Sequence, residues 1–194
     1  MLALAANPGR GAQIALVLSN RPHAHGLARA RARGVEAVAV DHRPHGPDRA
    51  AHEAAIHHEL TTRGIDLVCL AGYMRLLTPW LVGAWAGRML NIHPSLLPAF
   101  PGLHTHSRAL AAGARLHGCT VHWVTNTMDD GPILGQAAIP VLPDDTPDTL
   151  AARVLVQEHR LYPAVLASVT GGTALTPASG AVLMNPLPVA TAPG

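Results

Sequence analysis

The sequence predicts an α/β protein: a Rossmann-like, doubly wound, mostly parallel sheet with helices on both faces. Three observations predict it. Short unbroken apolar runs of strand length, Gln13–Ser19 and Leu67–Ala71 among them, read as strands covered on both faces. Helical stretches between such runs close on glycine, at Gly34, Gly64 and Gly113. A chain of 194 residues, 48% hydrophobic and 13% charged, is long and apolar enough to bury one sizeable core.

Met1–Ala6 reads as the last turns of a helix, ended by Asn7-Pro8-Gly9. Gln13–Ser19 is the first strand expected. Leu27–Arg33 follows as a short helix, Glu36–Val40 as a strand, Pro47–Arg63 as a longer helix and Leu67–Ala71 as another buried strand. Thr78 before Pro79 reads as an N-cap with proline at the first helical position, starting a helix through about Gly83. The strand Met89–Ile92 runs into a turn made by Pro94 and Pro98, and a helix over Thr105–Ala112 stops at Gly113. Thr120–Val124 and Ile133–Val141 are strands joined by the polar loop Asn126–Pro132, a connection short enough to make part of the second half antiparallel. Thr146, next to Pro147, caps a long helix to Ser168. Beyond Gly171 the chain is rich in Gly, Pro, Ala and Thr, with at most a weak hairpin expected. The division is one domain over residues 1–170 and a tail over 171–194.

All 14 basic residues are arginine. Without lysine, Schiff-base catalysis and a lysine-bearing phosphate loop are excluded. The net charge of +2 is spread along the chain with no basic run, which argues against a nucleic-acid partner. No stretch is long and apolar enough to span a membrane, and no charged-then-apolar leader precedes the first strand, so a cytoplasmic protein acting on small molecules is expected. Cys69 and Cys119 sit in apolar segments without metal-like spacing and read as buried free thiols. Oligomeric state is not legible.

The chemistry concentrates in Asn91-Ile92-His93-Pro94. Asn91 and His93, two residues apart, lie on one side of an extended backbone at a strand's carboxyl end, where open α/β sheets bind ligands. An amide can hold a developing oxyanion and an imidazole can move a proton near neutral pH, so the pair suits acyl or formyl transfer. Asp129, in the turn-forming loop with Asp130-Gly131-Pro132, is the candidate third member, since a carboxylate near an imidazole favours its charged form; a purely structural turn role is the competing reading. Among the 13 histidines the tightest clusters are His23-x-His25, His57-His58 and His104-x-His106. None has the i, i+4 spacing of zinc hydrolases, so no metal is expected.

The run NIHPSLLPAFPGLHTH, with HGCTVHWVTNTMDDGPILGQAAIPV and QEHRLYP behind it, closely resembles the phosphoribosylglycinamide formyltransferases of purine biosynthesis. The likeness extends from about Met1 to Leu166. Other 10-formyltetrahydrofolate enzymes share Asn-x-His and the later Asp, but those acting on initiator methionyl-tRNA or sugar nucleotides lack the Pro-Gly-Leu-His-Thr-His segment. The resemblance implies the formyltransferase fold, with Asn91, His93 and Asp129 as catalytic residues. It implies that Met74, Arg75, Leu76, Leu77, Arg49, Asn91 and Val124 contact the co-substrate 10-formyltetrahydrofolate. It implies Gly72 and Glu158 as substrate-binding residues, Glu158 holding the glycinamide amine. Formyltetrahydrofolate hydrolysis is the nearest alternative.

One departure accompanies the match. Members of this family start with a strand and a glycine- and serine-rich turn whose amides grip the ribose phosphate. This chain is expected to begin after that element, its first strand missing, either because its start lies upstream or because the strand is lost. In the second case neighbouring strands would be left unpaired, and a non-catalytic folate-binding remnant becomes a further alternative.

Overall fold

The computed structural model describes residues 2–7, 11–171 and 182–184. In chain order the elements are β1 (Leu2–Asn7), β2 (Gly11–Ser19), α1 (His25–Arg31), β3 (Glu36–Ala39), α2 (Arg49–Thr61), β4 (Leu67–Leu70), α3 (Pro79–Ala84), β5 (Met89–His93), α4 (Thr105–Ala111), β6 (Leu116–Trp123), β7 (Ile133–Pro140), α5 (Pro147–Thr170) and β8 (Val182–Met184). A short 3₁₀ turn at Arg43–His45 precedes α2. One sheet runs in the order β3-β2-β1-β4-β5-β6-β7-β8. Six strands share one direction, and β1 and β6 run against it. The result is the expected α/β architecture with a mostly parallel sheet.

The first segment differs from its expected form. Met1–Ala6 reads as helix, whereas Leu2–Asn7 is a strand that pairs antiparallel with β2 on one side and β4 on the other. Alanine favours helix by only a fraction of a kcal/mol per residue, and the ladder groups of two interior strands outweigh that preference. β1 occupies the slot between β2 and β4, so neither of those strands is left unpaired on that side. Pro8 and Gly9, and the tail apart from β8, lie outside the described residues. β8 extends the sheet by parallel pairing with β7 rather than forming a hairpin. β6 starts earlier than expected, at Leu116, because β7 pairs with it as far as Pro140.

Caps fix the helices where the sequence places them. The Thr78 and Thr146 side chains accept from Leu81 N and Thr149 N, and Asp48 accepts from Ala51 N. The core has two layers, one on each face of the sheet. Leu67 and Cys69 of β4 join Leu90, Cys119, Val121 and Leu134 beneath Leu150, Val154, Leu161 and Val165 of α5. Val68 and Leu70, alternating to the other face, join Leu16, Leu18 and Met89 against Ile56 and Leu60 of α2 and Leu81 and Trp85. Both cysteines are buried and free, and burial pushes their thiols up to about 11 for Cys69 and about 12 for Cys119. Among the described residues no helix is long and apolar enough to cross a membrane.

At Gly118 of β6 a Cβ would sit 1.9 Å from the Ala137 carbonyl oxygen of β7. Backbone cannot yield there as a flexible side chain would. Gly118→Ala is therefore expected to destabilise by about 1–3 kcal/mol, as overpacking does, read as a lower urea midpoint at unchanged slope.

Candidate active site

β5 and β6 pair antiparallel with Asn91 opposite His122 and His93 opposite Thr120. All four side chains occupy one face because both strands alternate with period two. His122 is buried, and its Nδ1 faces the Trp123 carbonyl at 2.9 Å, so Nδ1 carries the proton and donates. Its Nε2 is then free to accept from Asn91 Nδ2 at 3.2 Å. Burial holds the His122 pKa below its ordinary value, against the opposing pull of Asp129, which keeps this accepting tautomer at neutral pH. Asn91 is thus held by one amide hydrogen and keeps the rest of its carboxamide for the cavity.

His93 has acceptors at both ring nitrogens. Nδ1 lies 3.4 Å from Asp129 Oδ2, and Nε2 lies 3.0 Å from the Phe100 carbonyl. The Phe100 carbonyl thus takes a hydrogen bond from Nε2, while Asp129 stands beside Nδ1 at ion-pair distance. Asp129 Oδ2 also accepts from Gly102 N at 2.7 Å, so one carboxylate ties the β6–β7 loop to the segment after β5. Asp129 and Phe100 both have positive φ, 55° and 54°, a conformation uncommon outside glycine and concentrated here at the two partners of His93. The loop reaches His93 because Gly131 lies against the Trp123 carbonyl, where a Cβ would come within 1.7 Å.

The proline turn between His93 and Phe100 is held by one buried hydroxyl. Thr120 Oγ1 donates to the Ser95 carbonyl at 2.6 Å and accepts from Leu97 N and Gln136 Nε2, each at 3.0 Å. Gln136 also donates to the Leu97 carbonyl at 2.8 Å, and Ser95 Oγ donates to Ala99 O at 2.6 Å.

These groups open onto a cavity of about 1220 Å³. Asn91, His93, Asp129, Gly72, Met74, Arg75, Leu76, Leu77, Val124 and Glu158 all line it. Arg49 does not: it is exposed on the first turn of α2. The Met74–Leu77 segment is fixed from behind by buried Glu53, whose carboxylate accepts from both Thr78 N and Thr78 Oγ1. Glu158 comes from α5, which is pinned one turn later where Tyr162 donates to the carbonyls of Leu70 and Leu90 at 3.0 and 3.3 Å. Burial raises the Glu158 pKa, with His159 pulling the other way.

Sequence reasoning finds Asn91, His93 and Asp129 and misses their supports, His122, Thr120 and Glu53. A usable signal for the first two was two polar residues at i, i+2 in the otherwise apolar run Cys119–Trp123. Among the described residues no three His, Cys, Asp or Glu side chains are grouped to hold a metal.

Comparison with known proteins gives a consistent picture. Residues 2–166 match the formyl transferase family profile. The chain is 46% identical over 155 residues to the phosphoribosylglycinamide formyltransferase of Escherichia coli (strain K12), covering 77% of this chain and 70% of that one. It is 44% identical over 167 residues to the trifunctional purine biosynthetic protein adenosine-3 of Drosophila melanogaster, covering 86% of this chain. The chain spans only 12% of that longer relative. The crystal structure of phosphoribosylglycinamide formyltransferase from Brucella melitensis superposes with a TM-score of 0.79 at 54% identity, covering 86% of this chain and 85% of that chain.

Two predictions follow from the geometry. Thr120→Val keeps the shape of the side chain but strands two donors and one acceptor, and is expected to cost about 1–3 kcal/mol of stability in denaturant titration. The second concerns pH. Burial first, then neighbouring His106 and His93, push the His117 pKa down to about 4. Below the ordinary histidine value near 6.5 the unfolded chain takes up a proton that the native state refuses. Stability from His117 is therefore complete above about pH 6.5, declines toward pH 4 and declines no further below it. At about 1.4 kcal/mol per pKa unit the loss reaches about 3 kcal/mol, measured as urea midpoints across that range, and His117→Gln should flatten the curve.

Proposed function

Because the chain belongs to the formyl transferase family, we propose that it transfers a formyl group from 10-formyltetrahydrofolate to the primary amine of N1-(5-phospho-D-ribosyl)glycinamide. The observation that carries this reading is the convergence of Asn91, His93 and Asp129 on one cavity shared with Glu158. A cavity of about 1220 Å³ exceeds the usual space for one drug-sized ligand and leaves room for two reactants.

In this mechanism the neutral amine, oriented by Glu158, attacks the formyl carbon. Asn91 donates to the formyl oxygen as it gains negative charge. The His93 imidazolium, paired with Asp129, exchanges its Phe100 contact for that oxygen and supplies the proton that lets the folate nitrogen leave, and the proton lost by the attacking amine returns to His93 and restores the imidazolium. Met74–Leu77 and Val124 hold the folate against the loop that ends in Asp129. Gly72 lies where its bare backbone lets substrate approach. Arg49 takes no part without movement of α2. The unit responsible is residues 1–170, acting on small molecules in the cytoplasm, with 171–194 as a tail.

A second reading is favoured by one feature. The slot of the expected first strand holds antiparallel β1, so among the described residues no strand there delivers a phosphate-gripping turn to the carboxyl edge of the sheet. A folate-binding protein without transferase activity would fit that feature.

The test is product analysis with both substrates, alongside calorimetric titration of each. Formylated ribotide that depends on both reactants supports the transferase. Formate released without ribotide indicates the hydrolase, and folate binding with neither product indicates the remnant. For the transferase, Asn91→Ala is expected to lower kcat by about 10²–10³ with an unchanged melting temperature, as loss of one oxyanion donor does. Near wild-type turnover in Asn91→Ala or His93→Ala would overturn the assignment.

A further inference from the structure

The reactive cavity extends well beyond the groups that act on the formyl carbon. Glu158, Tyr162 and Leu166 recur at every fourth residue of α5 and all line it, so one stripe of that helix borders the cavity for about 12 Å. Ile14 of β2 lines the same space, and β2 lies against α5. The strand registers set its level. Ile14 pairs with Leu4 and Leu4 with Leu67, so Ile14 stands level with a residue three short of Leu70, whose carbonyl accepts from Tyr162. Leu166, one turn beyond Tyr162, packs on the layer that contains Leu67. Apolar side chains therefore carry the cavity from Glu158 along the face of the sheet. Ile14 is 45% exposed although it borders a cavity, so protein covers only part of it. Exposed Arg29 of α1 also lines this stretch and marks where it meets water. Among the described residues the Glu158 carboxylate accepts no hydrogen bond and forms no ion pair. Met74–Leu77 and Val124, assigned to the folate, come from other elements, which leaves the slot along α5 to the acceptor.

We propose that this site also formylates primary amines carried on an apolar body, the amine held at Glu158 and the body laid along Tyr162, Leu166 and Ile14. The proposal rests on the formyl-donor half of the reading above and is independent of the ribotide. The amine lone pair makes the new bond to the formyl carbon, and the bond from that carbon to the folate nitrogen breaks. The proton lost by the amine balances the one gained by that nitrogen. The products are the N-formyl amine and tetrahydrofolate, with no other reactant consumed. A sugar phosphate laid along the same stripe would set its hydroxyls against Ile14 and Leu166, which offer them no hydrogen bond. An alkyl body instead removes those side chains from water, and the gain grows with each methylene buried.

The experiment uses 10-formyltetrahydrofolate with glycine N-ethylamide, N-butylamide and N-hexylamide, a series in which the reacting amine is constant and only the apolar body grows. Formylated amide is measured by mass and tetrahydrofolate by absorbance, for the full chain, Ile14→Thr, Leu166→Ala, and Val156→Asn as a control. Val156 is an exposed apolar residue of α5 that does not line the cavity. In the wild-type chain kcat/KM is expected to rise about two- to fourfold per methylene, through a falling KM at steady kcat, as uniform binding does. That rise should persist in Val156→Asn and flatten in Ile14→Thr and Leu166→Ala. The second variant keeps the test open where the first fails to fold. A flat series in the wild-type chain, or no formylated alkylamide at all, overturns the proposal, and ribotide formylated in the same assay then leaves the transferase reading standing. A rise that survives in both slot variants overturns it as well. Donor that neither binds nor is consumed with any amine sinks the folate reading and this proposal together. A flat alkyl series in which Arg29→Ser raises the KM for ribotide means that the slot serves a phosphate, and the proposal is wrong.

Discussion

Asn91 and His93 meet their supports because β5 and β6 pair antiparallel in one register, Asn91 opposite His122 and His93 opposite Thr120. A slip by a single residue would send all four side chains to the other face of the sheet. On the other side of β6, Gly118 and Gly131 sit where the backbone of Ala137 and of Trp123 leaves no space for a side chain, which fixes how β7 and its connecting loop lie against β6. The register then propagates outward. His122 sets the amide, Thr120 sets the proline turn, the turn sets the Phe100 carbonyl, and the far loop brings Asp129 to His93. Few of these links are individually strong, but none is independent of the strand pairing.

Much of this was legible in the sequence where local chemistry and tertiary role agree. Thr78-Pro79 and Thr146-Pro147 announce helix starts because a hydroxyl cap and a fixed φ are needed there in any context. Asn91 and His93 stand out as polar residues ending an apolar strand. What stayed hidden depends on partners distant in the chain. Nothing local distinguishes Glu53 from other acids on an amphipathic helix, yet it is buried because Thr78, 25 residues away, presents two donors to it. Thr120 reads as an ordinary β-branched strand residue until the proline turn and β7 are seen to supply three partners to its hydroxyl.

Met1–Ala6 shows the opposite case, in which local preference and global pairing disagree. An alanine-rich stretch reads as helix, but the sheet offers it two ladders at once, and the strand form satisfies backbone groups on both sides. Arg49 shows a limit of another kind: a position can match a family pattern while its helix leaves the side chain facing solvent.

The threefold bonding of the Thr120 hydroxyl bears on kinetics as well as architecture. A turn fastened from within has little freedom left to surrender when a reactant arrives, so association there carries a small ordering entropy. Encounter should then proceed by docking onto a ready-made shape, and differences in affinity among reactant analogues should appear mainly in how long each one stays.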